Sequence, residues 1–569
     1  MKIVLPIIAS SLCLSTLSAQ VGGQLTSYFQ DHGASSQDNL GIAVSGIGDL
    51  DGDGIGDFMY GADFAQPGGV LDAGSVFIRS GATGALLFQF DGGPNDRLGG
   101  SLGELGDVNG DGVPDILMGS SHATVAGIQQ SGAALVYSGA DGSLIRQFDS
   151  GLAADHFGAV VAGAGDVNAD GHADIIVGAK AFAAAGSSGA HGAAFVYSGI
   201  DGALLYRFDG IGLLDEFGAA VAGAGDVNAD GYADLIIGAP RAFSNGIPQA
   251  GSVYVYSGAD GSLLHEYGGG SIFEFLGWAV TGVGDVDHDG SDDFLFGSPG
   301  VTTQGQGLTG AAFLCSGASG ALMQRFDGEE DGDSFAFSMT SAGDFDADGT
   351  ADLLIGAITA CPDDQLYAGS AYVYSGSDGT LLRRFDGEQA NAQLGAALAS
   401  VGDLNQDGRS EIILGIPFAS PGGSPFAGSV EVLGFHPLLT SSARTVSVAT
   451  GGQIDLELDF PIAAANFGHK LLISTNGPGV IDNHGVVIPL QMDFMVERTY
   501  NGWYPFSNYS NLQGNLDANA HATASIGFAP AQLDPSLVGR SLWMAAAASH
   551  SGLKPAEFSS VAIQVTIEP

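Results

Sequence analysis

From Leu40 to Phe435 the chain repeats one pattern of apolar and polar positions. In its fourth copy, FGAAVAGAGDV alternates small apolar residues and ends at Asp226, and YADLIIGAP is a short run rich in branched aliphatics. AGSVYVYSG then alternates with period two, and Asp260-Gly261 supplies a tight turn into SLLHEY. Thr83-Gly84, Asp141-Gly142, Asp201-Gly202, Ser319-Gly320 and Asp378-Gly379 stand at the same turn. No window of helical length sustains a 3.6-residue period. Each unit is predicted to be a four-stranded antiparallel sheet.

The units are marked by Asp49, Asp107, Asp166, Asp226, Asp285, Asp344 and Asp403, spaced 58, 59, 60, 59, 59 and 59 residues apart. Seven strand-only repeats of this length predict an all-β fold, a seven-bladed β-propeller over residues 20–436. The ends support closure. The seventh unit stops after its third strand, GSVEVLGF, and QLTSYFQ before the first unit is a strand without companions. If that strand completes the last blade, no sheet edge is left bare. The Gly- and Ala-rich first strands, such as AVVAGAG, suit the crowded axis of a ring.

After Pro437 the period ends. TVSVAT, QIDLELDF, KLLIST and VAIQVTI alternate, with turns expected at Asn476-Gly477 and Asn501-Gly502, so residues 437–569 are predicted to form a small β-sandwich. Trp503, Tyr504 and Phe506 are expected in its core, the alternative being an exposed contact patch.

Between the first two strands of each unit lies an acidic loop: residues 49–57, 107–115, 166–174, 226–234, 285–293, 344–352 and 403–411. Position 1 is the marker aspartate. Position 3 is Asp51, Asn109, Asn168, Asn228, Asp287, Asp346 or Asn405, and position 5 is Asp53, Asp111, Asp170, Asp230, Asp289, Asp348 or Asp407. Position 6 is always Gly. Position 7, able to offer its carbonyl, is Ile55, Val113, His172, Tyr232, Ser291, Thr350 or Arg409, and position 9 is Asp57, Asp115, Asp174, Asp234, Asp293, Asp352 or Glu411. Short oxygen-bearing side chains at 1, 3 and 5, a carbonyl at 7 and a carboxylate at 9 supply the six or seven hard oxygens that suit Ca²⁺. The loop is not an EF-hand, since the twelfth residue from Asp49 is Tyr60, inside a strand. Asp, Asn and Gly favour turns in any case, but seven copies keeping the acid at 9 exceed what turn preference requires. Of 63 acidic residues, 24 stand at these positions. About seven structural calcium ions are expected, with binding coupled to folding.

Phe157-Gly158, Phe217-Gly218 and Gly238-Ala239-Pro240, read with the acidic loops, resemble the FG-GAP repeat of integrin α-subunit propellers and related extracellular proteins. Leu replaces Phe at Leu40, Leu98, Leu276 and Leu394, and the fifth and seventh units read Gly297-Ser298-Pro299 and Gly415-Ile416-Pro417. The resemblance covers about residues 24–436 and implies calcium held between the first two strands of a blade.

The net charge of −47, with 16 Lys and Arg, excludes nucleic acid and anionic membrane surfaces as partners. Residues 1–19, with Lys2 followed by an apolar run and small residues, read as a signal peptide for export, and no later stretch is long enough to span a membrane. Leu12 before Cys13 does not fit a lipoprotein site. Cys315 and Cys361 either pair or stay as buried thiols. Gly99-Gly100-Ser101-Leu102-Gly103 matches a nucleophile motif but falls on an expected inner strand, without the helix such an elbow needs. His172 and His288 sit at variable loop positions. The second-to-third-strand loops, carrying the rare cations Lys180 and Arg241 near Phe182 and Phe243, form the expected ligand face. The expected function is a secreted or cell-surface calcium-binding module for adhesion, with an extracellular glycan or protein as ligand. The alternatives are an enzyme acting on polysaccharide or lipid headgroups, or a structural matrix component.

Overall fold

The computed structural model describes residues 23–183, 189–302 and 307–437, and beyond them the backbone of separate strands between 439 and 568. The signal segment, both Asn-Gly turns and Trp503, Tyr504 and Phe506 lie outside the described residues. Two compact units hold Ser27–Gly434 and Phe435–Pro569.

The first unit is a seven-bladed β-propeller. In the third blade Val160–Gly165, Asp174–Ala179, Ala193–Tyr197 and Leu204–Asp209 pair antiparallel in chain order. The others repeat this order, except that the seventh is Ala397–Gly402, Glu411–Ile416 and Ser429–Pro437 with Gly23–His32 as its fourth strand. Each first strand packs on the next, and Ala397–Gly402 packs on Val44–Ile47, so the ring closes. Among the described residues, helix is confined to the short 3-10 turns Pro67–Gly69, Pro362–Asp364 and Pro421–Gly423.

The second strands of the first six blades are buried along their whole length, and that of the seventh as far as Gly415, because both faces are covered by neighbouring blades. The anchor residues Leu40, Leu98, Phe157, Phe217, Leu276, Phe335 and Leu394 are all buried. Each makes a parallel bridge to a glycine of the preceding blade, as Phe157 does to Gly132 and Leu40 to Gly428. The Gly-rich inner strands follow from close approach. A β-carbon on Gly46 would lie 2.3 Å from the Ser400 carbonyl oxygen, and one on Gly163 would lie 2.4 Å from that of Glu104.

The seven inner strands line a central cavity of about 660 Å³. Glu104 is the single charged side chain among its lining residues, and burial raises its carboxyl pKa. Ser101, in the same strand, accepts the Val161 N–H at 3.0 Å, so its hydroxyl ties two blades together. Cys315 and Cys361 are not joined.

The second unit is described by its backbone only. It contains a four-stranded sheet that includes Gly452–Asp459 and His521–Phe528, and a larger sheet that includes Gly468–Ser474, Ser541–Ser549 and Ile563–Glu568.

Candidate metal centres

Each acidic loop leaves a first strand, turns through two left-handed residues and enters a buried second strand. Position 6 is glycine with φ between +84° and +95° in all seven copies, at Gly54, Gly112, Gly171, Gly231, Gly290, Gly349 and Gly408. A β-carbon there would meet nothing within 4 Å, so the requirement is one of backbone conformation. Position 4 is also left-handed, although Ala169, Ala229, His288, Ala347 and Gln406 occupy it in five copies. The sequence gives no sign of this second turn residue.

The first aspartate wraps the loop around itself. In every copy one oxygen accepts the N–H of position 5 and the other that of position 6. The pairs measure 3.0 and 2.8 Å at Asp166 and 3.0 and 2.7 Å at Asp403. Position 5 in turn accepts the N–H of position 7, as Asp230 does from Tyr232 at 3.0 Å. The side chains at 1, 3 and 5 therefore curl toward one point. In the loops starting at Asp49, Asp285 and Asp344, one oxygen from each of the three carboxylates lies within 4.8 Å of the others. In the remaining four loops Asn stands at position 3. At Asn405 the amide nitrogen is donated to Tyr28 and Glu411, leaving a buried Oδ1 without a hydrogen-bond partner. An oxygen-seeking cation fits that orphan and the donor set around it.

The acid at position 9 holds the blade together without any metal. It is at most 1% exposed in all seven copies. In the first six blades one of its oxygens accepts the N–H of position 2, and the other that of a glycine in the third-to-fourth-strand turn. For Asp234 these are Val227 at 3.0 Å and Gly258 at 2.9 Å. Glu411 takes the Leu404 N–H and the Asn405 amide instead. Where each oxygen takes one such bond, its second lone pair remains for a cation. Asp115 accepts two bonds at each oxygen and Asp352 two at Oδ2, so there the loop itself occupies more of the carboxylate. Burial pushes the carboxyl pKa up to about 6 at Asp57, Asp174, Asp234 and Asp293, about 7 at Glu411 and about 8 at Asp352. The backbone N–H groups oppose that rise, while neighbouring loop carboxylates add to it.

The loops are also joined in series. In three copies the N–H of position 8 bonds the carbonyl of position 1 in the preceding blade, from Ala233 to Asp166 at 3.0 Å, Asp292 to Asp226 at 3.0 Å and Ser410 to Asp344 at 2.9 Å. His172 and Arg409, both at position 7, reach the carbonyls of Asp107 and Phe345. His172 is thus half-buried against the neighbouring loop, whereas His288 is exposed.

On the opposite face the links from fourth to first strand meet the second-to-third-strand loops. In all seven links the residue before the anchor is left-handed and none is glycine: Asn39, Arg97, His156, Glu216, Phe275, Ser334 and Gln393. Phe182 is core, with Arg207 over its ring, while Phe243 is 65% exposed. Arg241 pairs with Glu216 at 3.4 Å.

The FG-GAP repeat family model matches residues 99–137, 157–197 and 217–256. The chain is 29% identical to chicken (Gallus gallus) integrin alpha-V over 212 residues, covering 35% of this chain and 20% of that protein. It is 31% identical to mouse (Mus musculus) integrin alpha-8 over 294 residues, 48% of this chain and 26% of that one. It is also 27% identical to bovine (Bos taurus) phosphatidylinositol-glycan-specific phospholipase D over 224 residues, 36% of this chain and 26% of that one. The matches thus span about a quarter or less of these relatives. The second, third and fourth blades thus match the FG-GAP repeat, and the ring is similar to the propeller of integrin alpha subunits.

Proposed function

We propose that this FG-GAP propeller is an exported, calcium-stabilised module for adhesion that binds an extracellular glycan or protein through the loops opposite its metal centres. The observation that supports this reading is the sevenfold recurrence of one donor geometry, with the same hydrogen bonds from positions 1 and 5 in every blade. Side-chain oxygens at positions 1, 3, 5 and 9 and the carbonyl at 7 would hold about seven Ca²⁺ ions. Bound calcium supplies the positive charge that the crowded carboxylates lack. The protein's own contribution is the preformed turn, which orients the side-chain oxygens at low entropic cost.

No helix among the described residues is long and apolar enough to cross a membrane. Export and placement outside the cell rest on the leader-like residues 1–19. The similarity to integrin alpha subunits supports ligand binding by the loop face.

The test is elemental analysis of the purified chain, with its retention on immobilised polysaccharides and matrix proteins in calcium and in excess chelator. Retention in calcium and release by chelator is expected. Fewer than about four calcium ions per chain overturns the metal assignment, and retention on no surface in the panel overturns the adhesion role. A second reading, an enzyme acting on polysaccharide or lipid headgroups, is favoured by the similarity to the phospholipase. Release of retained material as fragments would put it first.

A further inference from the structure

Cations are scarce in this chain, and most arginines of the propeller are engaged by carboxylates. Arg79 pairs with Asp31, Arg207 with Asp209, Arg241 with Glu216, Arg325 with Asp327, and Arg384 with Glu329 and Asp386. Arg97 and Lys180 form no ion pair with any described residue. Both lie on the loop face, Arg97 in the link between the first and second blades and Lys180 just after a second strand, Asp174–Ala179, of the third.

Two histidines stand with them. His122 follows the second strand of the second blade, and His156 is the left-handed residue of the next link, with φ +58°. Their rings meet edge to face with centroids 5.5 Å apart. Ser121 Oγ lies 2.9 Å from His122 Nδ1. The Arg97 guanidinium lies over the Phe64 ring, 4.2 Å from its centroid, which fixes its plane. Four nitrogen-bearing side chains from four separate loops thus gather on one sector of the face.

Their mutual repulsion is only partly offset. Burial lowers the pKa of both imidazoles, and Arg97 and Lys180 lower both further. Opposing this at His156 are Asp155 and Glu216. Asp155 is buried and gives one oxygen to the Phe157 N–H, and Glu216 is paired with Arg241. Asp63 acts on Arg97 from the first blade. An anion placed among the four groups would relieve the repulsion and raise both imidazole pKa values.

We propose that Arg97, His122, His156 and Lys180 form a binding site for one oxyanion group, a carboxylate or a sulfate or phosphate ester, carried on an otherwise uncharged ligand. A guanidinium fork, imidazole N–H groups and an ammonium are donors suited to such a group. A polyanion is disfavoured, because the chain's net charge of −47 repels it, whereas a single anionic group needs only the short-range field of the site. The next link around the ring exposes Ile211, Leu213 and Leu214, surface suited to an uncharged portion. The site adds a ligand chemistry to the loop face and stands whether or not the chain binds a matrix.

The test is histidine-selective NMR on the full, calcium-loaded chain, titrated with pH in chloride, acetate and methyl phosphate at equal ionic strength. H122Q and H156Q identify the two resonances. The expected result is that both midpoints rise by about half a pH unit or more in at least one oxyanion arm. His265, on the other face against the Gly317 carbonyl, should not move. A larger rise in acetate selects a carboxylate, and a larger rise in methyl phosphate selects an ester. R97Q and K180Q should each abolish most of the rise while leaving the His265 signal unchanged. Lys180 is exposed, so K180Q does not threaten the fold. No rise in either arm, or a rise that survives in the R97Q/K180Q double variant, overturns the site.

Discussion

Gly192 and Phe217 bridge the third and fourth blades so closely that a β-carbon on Gly192 would lie 2.1 Å from the Phe217 carbonyl oxygen. Gly192 also has φ +85°. Gly171, in an acidic loop, has a similar φ of +88° but open space around it. The two separate collision from conformational strain. Gly171→Ala should cost about 1–2 kcal/mol, and Gly192→Ala more than about 3 kcal/mol as the blade boundary is forced apart. Urea denaturation of both variants in chelator compares them without a metal contribution.

Ring closure has its own clasp. Tyr60 in the first blade donates to Asp31 of the N-terminal strand at 2.5 Å, and Arg79 donates to both, at 2.8 Å to the Tyr60 hydroxyl and 2.9 Å to Asp31. Phe29 packs edge-on against Phe58, 5.1 Å between centroids. Removing Asp31 leaves the buried Tyr60 O–H without its acceptor and Arg79 without its ion-pair partner. Asp31→Ala should cost about 1–3 kcal/mol in thermal or chemical unfolding, and Tyr60→Phe less.

Positions 5 and 9 of an acidic loop should separate when metal is removed. Asp234 holds two backbone N–H groups in the interior, so Asp234→Ala should cost about 2–4 kcal/mol even in excess chelator. Asp230 is exposed and holds one loop N–H, so Asp230→Ala should cost less than about 1 kcal/mol in chelator. Its larger effect belongs in calcium, as one bound ion fewer by elemental analysis. Equal losses in both conditions for both variants would contradict this division.

Asp333 provides a pH signature remote from the acidic loops. Burial pushes its carboxyl pKa from 3.8 to about 6; the Glu330 N–H and Arg384 oppose the rise, and the charges of Glu330 and Glu329 add to it. A carboxyl whose folded pKa lies above its unfolded value favours the fold in its protonated form. Its contribution is full below about pH 4 and is lost as pH rises through 6. Asp333→Asn should therefore gain on the parent between pH 4 and 7, by at most about 3 kcal/mol. Chemical denaturation at each pH measures that difference, and parallel curves for the two proteins would refute it.

Much of this was legible in the chain. The period from Asp49 to Asp403 gave the blade count, the orphan strand QLTSYFQ gave the closure, and glycine at position 6 gave a turn whose φ is left-handed in every copy. The left-handed links were hidden, because Arg97, His156 and Phe275 carry no local mark of that conformation. Their backbone is imposed by bonds to the neighbouring loop, as when Arg97 N–H bonds the Asp72 carbonyl. The two hydrogen bonds accepted at position 9 were hidden for a related reason, since Gly258 stands 24 residues after Asp234. Lys180 and Phe182 are neighbours in sequence but diverge, one to solvent and one to the core. His122 and His156 meet only because two blades bring them together.

The clasp at Asp31 also sets a timetable. The strand Gly23–His32 precedes its partner Ser429–Pro437 by roughly 400 residues. At ordinary synthesis rates that gap lasts tens of seconds. This strand must wait, unpaired, while six blades assemble behind it. Joining the ends then costs on the order of 5 kcal/mol in chain entropy. A propeller stalled before that join presents two open sheet edges, and another stalled copy can pair with either one. The yield of closed, monomeric propeller should thus hinge on how quickly the last blade is completed.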